Sequence, residues 1–262
     1  YSGSKQQLNQ MQSIGTFLVF VFFFCISFGS VQATAPFSTG EKLTYSLKWG
    51  FLPVGSATME VLPRKLVDGE SCHVFRFNVQ TNSFADAFYK VRTTIESIVD
   101  KDFNKTLFYQ KNQSEGNTRR DIKVEFDYQA MKCYYYQGVE KQSEVSIPEK
   151  VFDPLSIAYL FRFNKLSPNF QMTLPTCDGR KFKEIIVKTG KRERISVPAG
   201  KFWAYGTVPE MQNLRGVFKK SPDGILCVWY SDDAMRIPVK ISSKVVVGSF
   251  TATLVEAIGL AR

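Results

Sequence analysis

Beyond Ala33 the chain alternates apolar and polar residues with period two over most of its length, a pattern that few folds accept. Leu43, Tyr45, Leu47 and Trp49 share one face of a first strand, and Ala57, Met59 and Val61 repeat this on a second. Cys72, Val74, Phe75, Phe77 and Val79 mark a third. Side chains of a strand point to opposite sides in turn, so such a run makes one apolar and one solvated face. Asp68-Gly69 has the chemistry of a hairpin turn. Further turn signals stand at Asp178-Gly179, Gly190-Lys191, Pro198-Ala199-Gly200, Pro222-Asp223-Gly224 and Gly248. Their spacing, roughly ten residues, is that of a meandering antiparallel sheet or barrel.

The alternation breaks at FDPLSIAYLFRF, residues 152–163. Asp153 stands where a helix is capped and Pro154 where its first turn begins. Apolar residues then surround the segment, which reads as one buried helix near 153–163. Asn82 and Ser83 could cap a shorter helical turn through Ala85 to Tyr89. The expected fold is mainly β, a single domain over 34–262. Curved antiparallel sheet or sheets would form a barrel or half-barrel around that helix.

The connection Gly50, Phe51, Leu52, Pro53, Val54, Gly55 is too apolar for an ordinary solvent turn. Two readings follow. The tip covers one end of the core, or it forms the lip of a ligand entrance.

Residues 1–33 read as a signal peptide. An apolar run from Ile14 to Phe28 is shorter than the ~20 residues of a membrane span, and Val31 and Ala33 are small residues suited to cleavage after Ala33. The alternative is an uncleaved anchor, and Met11 is a second candidate start. The expected location is periplasmic or secreted. The formal net charge is +10, and removing Lys5 with the leader lowers it by one. Outside the cytoplasm a basic surface favours an anionic envelope component such as a lipid head group, and nucleic acid is not expected. Cys72, Cys133, Cys177 and Cys227 remain after cleavage. They allow two disulfides in three pairings, or four buried thiols, and none is spaced as a redox or zinc motif.

Chemistry has little to work with. His73 is the one histidine, beside Cys72 in an alternating strand, where a structural role is expected. Asp232 and Asp233 are adjacent at a turn and suit backbone hydrogen bonds or a pairing with Arg236. No catalytic residue, metal ligand or cofactor is assigned. A carbohydrate-active enzyme with paired carboxylates is the weakest reading. A binding function has more support, because an antiparallel barrel can enclose a ligand. Trp49, Phe51, Leu52, Tyr89, Tyr159, Phe163 and Trp229 are the candidate liners of an apolar groove.

Four stretches occur in order: GEKLTYSLKWGFLPVGSATMEV (40–61), DPLSIAYLFR (153–162), VPAGKFWAYGTV (197–208) and VWYSDDAMRIPVKISSKVVVGSFTATL (228–254). Together they resemble the exported bacterial domain-of-unknown-function family numbered 3108. The resemblance implies a secreted or envelope-associated, mainly β protein and supplies no catalytic residues. The function expected is therefore a non-enzymatic envelope binding or carrier protein for a lipid-like ligand with an anionic head group. The alternative is a scaffold or assembly factor that binds another envelope protein.

Overall fold

The computed structural model describes residues 35–209, 226–244 and 249–261. The leader at 1–33 and the turn signals at Pro222-Asp223-Gly224 and Gly248 lie outside the described residues.

Fourteen strands form one antiparallel sheet. In chain order they are β1 (Lys42–Trp49), β2 (Leu52–Val67), β3 (Glu70–Thr81), β4 (Val91–Val99), β5 (Thr106–Glu115), β6 (Thr118–Asp127) and β7 (Lys132–Gln137). The second half comprises β8 (Glu140–Ser146), β9 (Gln171–Cys177), β10 (Phe182–Val197), β11 (Gly200–Pro209), β12 (Leu226–Ser231), β13 (Pro238–Lys244) and β14 (Ser249–Ile258). Two short helices interrupt them, α1 (Ser83–Asp86) and α2 (Ser156–Phe161). The spatial order is β8-β7-β6-β5-β4-β3-β2-β1-β14-β13-β12-β11-β10-β9. Two meanders, β1–β8 and β9–β14, are thus joined through the β1–β14 ladder, from Lys42 opposite Ile258 to Trp49 opposite Phe250. The curved sheet is not closed by backbone pairing: β8 and β9 are its edges.

The alternating residues meet as the pattern requires. Leu43, Tyr45, Ala57, Met59, Val61, Phe75, Val239 and Leu254 form one buried cluster. α2, on the crossover from β8 to β9, sets Tyr159 into that cluster with its ring stacked on Phe75, centroids 4.0 Å apart. Phe37, Phe103 and Phe163 pack around them. Fully burying an aromatic side chain is worth roughly 1.5–3 kcal/mol, so this plug of rings holds the two meanders on a shared core.

The helix begins where its cap was expected. Asp153 accepts from the backbone N–H of Leu155 (2.7 Å) and Ser156 (3.1 Å), satisfying donors that a first turn leaves free. Asp68 and Gly69, with φ of 49° and 81°, make the β2–β3 turn. One turn signal is overruled. Gly190-Lys191 lies inside β10, whose pairing with β11 slips between Thr189 and Arg192. A β-bulge takes up the glycine there and the strand continues.

Candidate functional site

Alternate connections of an antiparallel meander emerge at the same end of the sheet. At one end stand the β1–β2 turn, the β3–β4 connection carrying α1, the β5–β6 turn and the start of β14. Local hydrogen bonds tie these segments together. Gly50 N–H donates to Ser249 O (2.8 Å), while Asn82 donates from its backbone to Val54 O (2.9 Å) and from Nδ2 to Pro53 O (2.8 Å). Asn82 Oδ1 also caps α1 by accepting from Ala85 N–H (2.9 Å).

The side chains presented here are aromatic and exposed: Trp49, Phe51, Phe84, Phe88, Tyr89 and Phe250. Phe51 is 85% exposed and Phe88 80%. Trp49 stacks on Phe250 at 6.3 Å, Phe84 meets Phe88 edge-on at 5.5 Å, and the Tyr89 ring lies over Gly116. Scattered apolar side chains on a surface need no explanation, but aromatics gathered on adjoining loops do. Lys48 and Lys90 are exposed within the same segments.

Behind this rim a cleft of about 700 Å³ crosses β2 to β6. Ala57 and Val79 pack toward the core, so their neighbours Ser56, Thr58, Asn78 and Gln80 turn away from it into the cleft. Arg92, Arg119, Arg120 and Asp121 complete its charged lining. The floor is a hydrogen-bonded ladder in which Thr94 donates to Asn78 Oδ1 (2.8 Å) and Asn78 Nδ2 donates to Glu60 Oε2 (3.2 Å). Arg92 also clamps Asp86, with Nη2 2.6 Å from Oδ2. Hydrogen bonds from Arg92 first, and from Thr81 second, hold the Asp86 carboxyl below its usual range. The one acid of α1 is thus neutralised, and the cleft keeps a basic balance.

The seven candidate liners do not share one groove. Trp49, Phe51 and Tyr89 belong to the exposed rim, with half-buried Leu52 beside Phe51. Tyr159 is fully buried, and Phe163 packs on Phe37 and Phe103 in the filled interior. Trp229 lies on β12, where its Nε1–H donates to Glu193 Oε1 (2.6 Å) and the Lys240 ammonium sits 4.7 Å above its ring. The apolar connection also divides: Val54 is buried and Phe51 is not. Phe84, Phe88 and Phe250 were missed by the sequence reading. Phe84 and Phe88 lie in NSFADAFYK, a connection as apolar as the Phe51 turn, and the same test would have found them.

The paired carboxylates are occupied. Asp233 accepts from the N–H of Met235 and Arg236 (both 2.9 Å) and from Ser231 Oγ (3.0 Å). Asp232 binds Arg192 Nε at 2.6 Å, and the Arg236 Nε–H goes to the carbonyl of Arg162. His73 stacks on Phe75 with its Nε2 3.3 Å from Arg64 Nη2. Among the described residues no cluster of His, Cys, Asp or Glu is arranged to hold a metal ion.

Several solved structures are similar in fold. A β-barrel-like protein of the domain of unknown function DUF1849 from Brucella abortus superposes with a TM-score of 0.56 at 10% identity, over 86% of this chain and 98% of that one. A candidate lipoprotein from Parabacteroides distasonis gives a TM-score of 0.34 at 13% identity, covering 85% and 96% of the two chains. No curated protein matches. The family model described as protein of unknown function (DUF3108) matches residues 44–255, and the chain belongs to that family.

Proposed function

We propose that this is an exported, non-enzymatic envelope protein that engages an anionic lipid surface through the Phe51 end of its sheet. The observation that carries the reading is the rim of exposed aromatics, Trp49, Phe51, Phe84, Phe88, Tyr89 and Phe250, in front of a polar cleft lined by Arg92, Arg119 and Arg120. Aromatic side chains partition to the boundary between head groups and acyl chains. Basic groups close behind them add attraction to anionic head groups. The filled interior directs the reading away from a lipid carried inside the sheet and toward a surface contact.

The test is co-sedimentation of the mature chain with vesicles of phosphatidylethanolamine and phosphatidylglycerol, beside vesicles of phosphatidylcholine alone. Binding to the anionic vesicles, weakened by salt, is expected. Each of Phe51→Ser and Phe88→Ser should weaken partitioning about tenfold. Bromine-labelled acyl chains should quench the emission of Trp49, and Trp49→Phe should remove that quenching. No sedimentation, or sedimentation indifferent to Phe51 and Phe88, overturns the proposal.

The filled interior also favours a second reading, an envelope scaffold whose rim docks on another protein. Recovery of one stoichiometric partner that is lost on Phe51→Ser, with no vesicle binding, would select it.

A further inference from the structure

The sheet has two edges, β8 and β9, and the ladder does not join them. The seam is instead bridged by pieces of the crossover between them. Phe152 N–H donates to Pro175 O and Cys177 N–H donates back to Phe152 O, both at 2.9 Å. On the other side Thr106 N–H donates to Val151 O (2.9 Å), so residues 151–152 lie between the start of β5 and β9. Farther along, Ser143 Oγ donates to Gly179 O (3.2 Å), and the Arg180 guanidinium lies 4.3 Å from the centre of the Tyr135 ring.

In the middle of this seam Cys133 of β7 and Cys177 of β9 bring their sulfurs to 2.8 Å. Neither has any exposed surface, and both belong to the apolar cluster of Val124, Tyr135 and Val151. The bond would need only a short further approach, to about 2.05 Å. Cys72 and Cys227 have no such neighbour. Cys72 packs with Val74 and Ile98 on β3 and β4, while Cys227 is on β12, with β2, β1, β14 and β13 between the two strands.

We propose that Cys133 and Cys177 form a disulfide that closes the seam covalently and encloses α2 in a ring of chain. Of the three pairings open to four cysteines, this geometry selects the one that joins the two meanders. The oxidant is a disulfide, either of a thiol oxidoreductase or of oxidised glutathione. The Cys177 thiolate attacks one sulfur of the oxidant and expels the first thiolate. Cys133 then gives up its proton, attacks the Cys177 sulfur of the mixed disulfide and expels the second. Two cysteine thiols lose two electrons and two protons, and the oxidant leaves as two thiols. Because both sulfurs are covered in the folded protein, the exchange belongs to folding, before the seam closes. The finished bond should then resist reductant until the protein unfolds.

Non-reducing peptide mapping after alkylation in denaturant tests this on chain recovered after export and on chain refolded in a glutathione redox buffer. One crosslinked peptide pair containing Cys133 and Cys177 is expected, with Cys72 and Cys227 alkylated. Dithiothreitol should leave the native protein oxidised and reduce it in denaturant, and the reduced chain should melt about 10 °C lower. A crosslink formed in the glutathione buffer by a chain that is never exported supports the pairing while overturning the export reading. Four free thiols after refolding in that buffer, or a crosslink through Cys72 or Cys227, overturns the proposal. The reading does not depend on a cysteine variant that might fail to fold.

Discussion

Arg162 is wholly enclosed and grips Glu41 at two points, Nη1 to Oε1 at 2.6 Å and Nη2 to Oε2 at 2.9 Å. The same guanidinium donates to Pro36 O (2.7 Å) and from Nε to Met235 O (3.0 Å). Residues just after α2, just before β1 and in the β12–β13 turn therefore meet on one side chain. These are three of the four stretches that carry the family resemblance, and their likeness to the family reflects this shared anchor. Removing one partner of a buried pair strands the other charge in the interior at a cost of about 3–5 kcal/mol. Glu41→Gln should accordingly lower the free energy of unfolding by about that amount in a urea titration. Glu41→Leu with Arg162→Met should recover much of the loss.

Asp153 is the second enclosed charge. Its Oδ2 accepts from Ser97 Oγ (2.5 Å) and Thr106 Oγ1 (2.8 Å), and its Oδ1 accepts from the two N–H groups that open α2. An amide in its place can accept on only one of these sides. Asp153→Asn should cost about 1–3 kcal/mol, and Asp153→Ala should cost more because both hydroxyls and both N–H groups lose their acceptor. Thermal unfolding of the two variants orders them. An Asn variant as stable as the parent would mean that the carboxylate is not what organises the crossover.

What could be read in advance depended on how local the cause was. Period two is local, so Leu43, Tyr45, Met59 and Phe75 announced both their strands and their buried face. The cap at Asp153 and the turn at Asp68-Gly69 were also written within a few residues. Gly190 misled because a glycine beside a lysine reads as a turn, whereas register with β11 decides between turn and bulge. The Arg162–Glu41 pair was hidden because 121 residues separate its members. The cleft was hidden for a different reason. Outward Ser, Thr, Asn and Gln on five strands look like any solvated face until the sheet bends around them.

His73 gives the stability a pH dependence of known sign. Burial first, then the Arg64 charge, lowers its pKa from the ordinary value of 6.5, against smaller opposing effects of the Lys101 carbonyl and Asp100. Between the folded and unfolded pKa values the unfolded chain binds the proton and the folded one does not. The contribution of His73 is therefore complete above about pH 6.5 and is lost as pH falls through the lower, folded value. Denaturant midpoints measured from about pH 7 to about pH 5 should decline. His73→Phe, which keeps a ring beside Phe37, Phe75 and Phe103, should flatten that decline. An unchanged slope would assign it to other groups.

The apolar connection that ends in Gly55 yields a last test, because its two glycines have separate reasons. Gly50 has φ of +59° with open space where a β-carbon would go, so Gly50→Ala meets only the left-handed backbone cost of about 1–2 kcal/mol. Gly55 has no positive φ, but a β-carbon there would overlap the carbonyl oxygen of Gln80 on the neighbouring strand. That obstacle is backbone and cannot swing aside. Gly55→Ala must therefore pry β2 from β3 where Ser56 and Gln80 line the cleft and Pro53 anchors Asn82. It should cost more than Gly50→Ala, and amide exchange should speed up at Gln80, Thr81 and Asn82 ahead of the rest of the sheet. Equal losses in the two variants would show that the strands can part here without strain. The rim and the cleft would then be two independent surfaces, not one end held together at Gly55.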